Sequence, residues 1–83
     1  MGDAIIRAKI YLEDPEGIDA AKEEIGKIVK LQGTSIEEIG FGIKVLKIVF
    51  IEDEKNGTEE VEGKLNNVKG VSQVEIESVD RAL

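Results

Sequence analysis

Apolar and polar residues alternate through the first twelve positions of the chain. Ala4, Ile6, Ala8, Ile10 and Leu12 fall on one side of an extended backbone, with Ile5, Arg7, Lys9 and Tyr11 on the other. A period of two marks a strand with one face buried. Glu13-Asp14-Pro15-Glu16-Gly17 ends it, and from Ile18 the period lengthens. Ile18, Ala21, Ile25, Ile28 and Val29 then share one helical face, while Lys22, Glu23, Glu24, Lys27 and Lys30 largely fill the other. Asp19 or a neighbour is the expected cap, and Gln32-Gly33 the expected stop.

A second extended segment is expected from about Thr34. Its apolar residues are sparse (Ile36, Ile39), as in an edge strand. Ile43 to Ile51 is apolar apart from Lys44 and Lys47, the mark of a central strand. After the polar turn Glu52 to Gly57, Thr58 is the expected N-cap of a short helix. Glu59 and Glu60 sit in its first turn, and Val61, Leu65 and Val68 form its apolar face. Lys69-Gly70 closes that helix, and a last strand starts near Val71 with Val74 and Ile76 on one side.

The order β-α-β-β-α-β predicts an α+β, ferredoxin-like split sandwich. Its four-stranded antiparallel sheet carries both helices on one face, with the first and third strands central. The 83 residues fit one domain spanning 1–83. On the helix-free face Val45, Lys47 and Val49 are expected beside Arg7, Lys9 and Tyr11. Either β-propensity in a central strand or a partner surface accounts for the valines.

Composition narrows the chemistry. The chain has no cysteine and no histidine, so the usual zinc ligands, thiol nucleophiles and imidazole bases are missing. The acidic clusters Glu52-Asp53-Glu54 and Glu59-Glu60-Val61-Glu62 lack the glycine-punctuated spacing of a calcium loop. Gly57-Thr58 lacks the surroundings of a phosphate loop. No metal site, no cofactor and no catalytic residue are expected. A net charge of −7 without a basic block argues against nucleic acid and anionic membranes, and for a basic protein partner. No apolar run approaches the roughly 20 residues of a membrane span, and the start is unlike a signal peptide. A cytoplasmic protein is expected.

One segment stands apart. In Ile39-Gly40-Phe41-Gly42-Ile43-Lys44 a ring is flanked by two glycines, in a chain with two phenylalanines, one tyrosine and no tryptophan. Glycine weakens a strand, so two of them around one ring mark either a tight hairpin that tucks Phe41 into the core or a ring aimed outward. An RNA-binding strand shares the glycine-aromatic-glycine pattern. It requires a cation where Ile39 stands and rings where Ile43 and Leu46 stand, so the match fails there.

Residues 39–48 of this segment, followed by the acidic turn at Glu52-Asp53, resemble the exchange-factor domain of translation elongation factor 1-beta. The opening Met1-Gly2-Asp3, the helix start Gly57-Thr58-Glu59 and the ending Val-Ser-Gln-Val-Glu-Ile extend the likeness over the whole chain, in the archaeal single-domain form. The resemblance implies GDP/GTP exchange on elongation factor 1-alpha, the GTPase that carries aminoacyl-tRNA to the ribosome. It implies that Phe41 docks into that GTPase, with Gly40 and Gly42 permitting close approach and Lys44 beside them. Eukaryotic relatives place a lysine next to the C-terminal residue, where it disturbs the magnesium site. Here Ala82 holds that position and the nearest cation is Arg81, which differs from lysine in reach and hydration; Arg81 either takes over the magnesium-site role or is a surface charge near the chain's end. The competing reading is a regulatory or binding module that dimerises through its open sheet face. An acyl-phosphate hydrolase of the same topology is set aside, because the loop after the first strand is acidic where an anion-binding arginine is needed.

Overall fold

Alternation along the strands fixes which side of the sheet the helices take. The computed structural model describes residues 2–81, with the backbone alone at position 15. Its elements are β1 (Asp3–Leu12), α1 (Ile18–Ile28), β2 (Lys30–Glu38), β3 (Lys44–Asp53), α2 (Thr58–Asn66) and β4 (Val71–Arg81). Short 3-10 turns at Pro15–Gly17 and Glu54–Asn56 lead towards the two helices. The sheet is antiparallel in the order β2-β3-β1-β4, so the first and third strands are central as expected.

The core takes every second residue of the central strands. Ala4, Ile6, Ala8 and Ile10 of β1 join Leu46, Ile48 and Phe50 of β3 and Val74 of β4. Ile18, Ala21 and Ile25 of α1 and Val61 and Leu65 of α2 pack onto the same layer, so both helices lie on one face. The two alanines leave room for the helices to approach the sheet, and the isoleucines between them fill the remaining space. This α+β ferredoxin-like arrangement is the one the βαββαβ pattern predicts.

Several local expectations are corrected. The first helix ends at Ile28, not at Gln32-Gly33, and β2 is under way by Lys30. Gln32 is instead the extra residue of a bulge, since Leu31 faces Phe50 and Gly33 faces Val49. Ile28 is 36% exposed and does not complete the apolar stripe of α1. Neither helix is capped where the sequence points. Asp14 accepts from the Glu16 amide at 3.0 Å and Asp53 from the Lys55 amide at 3.0 Å. Each therefore caps the 3-10 turn ahead of a helix, in place of Asp19 and Thr58, and Thr58 is already the first helical residue.

The helix-free face is held by charge. Lys9 of β1 and Lys47 of β3 are directly opposed, a destabilising pair on its own. Glu37 from β2 and Glu77 from β4 flank them from the two edge strands. Lys47 lies 3.5 Å from Glu37 and 3.9 Å from Glu77, and Lys9 lies 4.0 and 3.8 Å from the same two carboxylates. Glu77 reaches this position because it is the extra residue of a β4 bulge, between Ile76 opposite Ala8 and Ser78 opposite Arg7. Arg7 pairs with Asp80 at 3.2 Å on the same face. Val45 is fully buried there beside Tyr11, and Val49 is partly buried. The middle of this face is thus an ion network rather than an apolar patch.

Tyr11 donates its hydroxyl to Glu75 at 2.8 Å. That bond, then desolvation and the nearby carboxylates, raise the phenol above its ordinary 10.0. The bond favours the neutral ring, so its contribution to stability is present below the ordinary value. It is lost as pH rises through the elevated one. With one tyrosine and no tryptophan, alkaline absorbance titration follows this group alone. Glu75→Gln is expected to move the midpoint down, towards the ordinary value. An unchanged midpoint would remove the Glu75 carboxylate as the cause.

Candidate functional site

The β2–β3 connection is built from three consecutive left-handed residues. Gly40, Phe41 and Gly42 have φ of 107°, 53° and 76°. The Ile43 amide donates to the Gly40 carbonyl at 2.9 Å and the Ile39 amide to the Ile43 carbonyl at 2.9 Å, which closes the turn below the ring. Positive φ suits glycine on both sides, but among the described residues Phe41 is the one non-glycine residue to adopt it. A bulky side chain in that region carries strain, and strained residues gather at functional loops.

The turn carries Phe41 away from the protein. Its relative exposure is 104%, so the ring touches nothing in the chain and the expectation of a ring tucked into the core is excluded. Burial of such a ring stabilises an association by about 1.5–3 kcal/mol. Lys44, exposed at the start of β3, faces Glu38 across the hairpin. Gly40, Phe41, Gly42 and Lys44 are therefore brought together at one end of the sheet.

Arg81 is not part of that cluster. It ends β4 opposite Ala4, which in turn faces Glu52, so it stands at the far end of the sheet. At about 3.3 Å per residue, the ten residues of β3 separate the two ends by roughly 30 Å. The Arg81 Nε lies 3.2 Å from Glu54 Oε1, and the guanidinium borders a groove of about 430 Å³ beside Glu52, Thr58 and Val79. The Glu54 amide donates to the Gly2 carbonyl at 3.2 Å, so the turn that engages Arg81 also holds the start of β1. Ala82, which stands where the eukaryotic lysine is expected, lies outside the described residues.

Sequence reasoning missed the surroundings of both points. Ile36, Ile39 and Ile43 of the hairpin are each about half exposed, and Glu54 partners Arg81. For the isoleucines a signal was present, since Ile39 and Ile43 flank the glycines where no second apolar row exists to receive them. For Glu54 there was none, because the contact joins residues 27 positions apart in sequence through the β1–β4 pairing.

A fully exposed ring on a hydrogen-bonded turn offers a partner an apolar anchor. Residues 5–82 match the EF-1 guanine nucleotide exchange domain family. The chain belongs to that family. It is 53% identical to elongation factor 1-beta of Aeropyrum pernix and 38% identical to that of Staphylothermus marinus, each over 98% of both chains. It is 32% identical to elongation factor 1-beta of Methanocorpusculum labreanum over the full length of both. Membership makes the chain a nucleotide exchange domain of translation elongation, a class that works by binding rather than by covalent chemistry.

Proposed function

We propose that the whole chain, as one exchange domain, accelerates GDP release from elongation factor 1-alpha in the cytoplasm. Phe41 is its principal anchor, Gly40 and Gly42 bring the backbone close, and Lys44 contacts the same partner. The observation that carries this reading is the complete exposure of Phe41 on a turn that fixes its direction. Ordering the turn in advance lowers the entropy lost on docking.

Exchange then follows from linkage. A factor that binds the empty GTPase more tightly than the loaded one weakens nucleotide binding by the same ratio. A coupling of about 4 kcal/mol corresponds to a roughly thousandfold lower nucleotide affinity. The nucleotide is engaged only through the GTPase, and no nucleic acid, membrane or cofactor of the chain's own takes part. Among the described residues no helix is long and apolar enough to cross a membrane.

Arg81 supplies a second contact, at the magnesium site. A GTPase touched by both Phe41 and Arg81 must span the long dimension of the chain, 42 Å overall. Arg81 leaves Glu54 to do so, at modest cost, because exposed ion pairs contribute only about 0.2–1 kcal/mol. Arg81→Ala is expected to slow exchange more at saturating Mg²⁺ than at low Mg²⁺. Equal slowing at both would take Arg81 out of the magnesium step.

The direct test is release of fluorescent GDP from purified elongation factor 1-alpha, with and without the chain. Accelerated release at substoichiometric amounts is expected, and an unchanged rate would refute the proposal.

A further inference from the structure

Four of the six large apolar side chains left exposed among the described residues belong to the hairpin: Ile36, Ile39, Phe41 and Ile43. They divide between its two sides. Ile36 lies in the row Ile36–Leu46–Ile10–Val74, whose other three members are buried on the helix side of the sheet. It is the outermost member of the core layer, on an edge strand, and its exposure is that of a rim.

Ile39 and Ile43 belong to no layer. The Ile39 amide donates to the Ile43 carbonyl at 2.9 Å, so the two are directly opposed. The pairs Glu38–Lys44 and Glu37–Val45 below them set the alternation, which puts both isoleucines on the helix-free side. They are 48% and 51% exposed, and no helix packs on that side. Together they form a small platform at the foot of the Phe41 turn, continuous with buried Val45 and with Tyr11 in the next row. The Lys9, Lys47, Glu37 and Glu77 network then ends the strip.

We propose that the Ile39–Ile43 platform is the second part of the GTPase seat, and that the partner closes over the helix-free side of the hairpin. This rests on the exchange-factor reading above and adds the side of approach; Lys44, which the same alternation puts on the helix side, meets the partner only at the edge of the hairpin. The occupant is the GTPase surface around the pocket for Phe41, apolar where it covers Ile39 and Ile43 and basic at its rim. Charge supports that chemistry. Glu75, at the edge of the strip, is bonded to the Tyr11 hydroxyl and has no cation in salt-bridge range among the described residues, and the chain carries −7 overall. An apolar centre ringed by charge is the usual form of a protein interface.

The test compares nucleotide release at subsaturating factor for the unaltered chain, Phe41→Ala, Ile39→Thr with Ile43→Thr, and Ile36→Thr. Threonine keeps the β-branched shape that suits these strands, so the fold should hold. The double variant is expected to lose about tenfold in exchange efficiency, whereas Ile36→Thr stays within about twofold. In the unaltered chain, isoleucine methyl resonances give a second readout that needs no variant to fold. Those of Ile39 and Ile43 should shift on adding nucleotide-free GTPase, and that of Ile36 should not. A double variant as active as the unaltered chain, with Phe41→Ala impaired, would overturn the platform and leave the exchange reading intact. Ile36→Thr as damaging as the double variant would overturn the side of approach. No acceleration by the unaltered chain would overturn both.

Discussion

Phe41→Ala should slow exchange thirtyfold or more, a loss of about 2 kcal/mol, while the melting temperature moves by only about 2 °C. The ring contributes no packing to the folded chain, since it is fully exposed, so its removal opens no cavity. The loss falls on association alone. The backbone at this position is left-handed, which alanine tolerates poorly, so a second substitution separates ring from turn. Phe41→Asn places a residue that accepts φ of 53° at the tip and should be as inactive as alanine. Full activity in the asparagine variant would show that the turn, and not the benzyl group, is recognised. Thermal denaturation and GDP release, measured on the same preparations, check both statements.

The other phenylalanine should behave in the opposite way. Phe50 is fully buried at the centre of β3, between Ile6 of β1 and Leu31 of β2. Phe50→Ala removes a large buried ring and costs about 3–5 kcal/mol. A domain of this size holds on the order of 5–10 kcal/mol in total. Its melting temperature should fall by on the order of 20 °C. Whatever fraction stays folded should exchange nucleotide normally per folded molecule, because Phe50 is far from the solvent-exposed tip. A Phe50→Ala chain that melts within a few degrees of the unaltered one would contradict the placement of the core. The same residue type is thus sealed in the core at one site and fully exposed at another, nine positions apart.

That contrast also shows what was legible in the sequence. Phe50 sits in a run whose alternate members Leu46, Ile48 and Phe50 match the period of β1, so its burial follows from patterning alone. Phe41 interrupts patterning, and its flanking glycines make the interruption informative. The topology and the central strands were equally readable, because hydrophobic period survives tertiary packing. Local boundaries were less so. Asp14 and Asp53 outcompeted Asp19 and Thr58 as caps because a 3-10 turn intervenes before each helix, and no apolar period records such a turn. The β4 bulge had left a trace. Apolar residues stand at Val74, Ile76 and then Val79, a step of two followed by a step of three, which is where Glu77 is squeezed out to reach the lysines.

The candidate site was half legible. The cluster Gly40, Phe41, Gly42 and Lys44 is contiguous in sequence and is contiguous in space. The distance to Arg81 was hidden, because it depends on β1 pairing with both β3 and β4. That pairing puts Arg81 beside Glu54 and roughly 30 Å from the hairpin. If Phe41 and Arg81 both contact the GTPase as proposed, the two contacts lie at opposite ends of a narrow body, and either alone should bind more weakly than both.

The ring at position 41 should be free in the isolated chain and become enclosed by the empty GTPase. Fluorophenylalanine incorporated throughout gives two fluorine resonances, one from Phe41 and one from Phe50, the latter a buried internal standard. Adding nucleotide-free elongation factor 1-alpha should shift the Phe41 signal and remove its solvent dependence, leave Phe50 unmoved, and be reversed by excess GDP. A Phe41 resonance that keeps its position and its solvent contact in the complex would rule out docking through this ring.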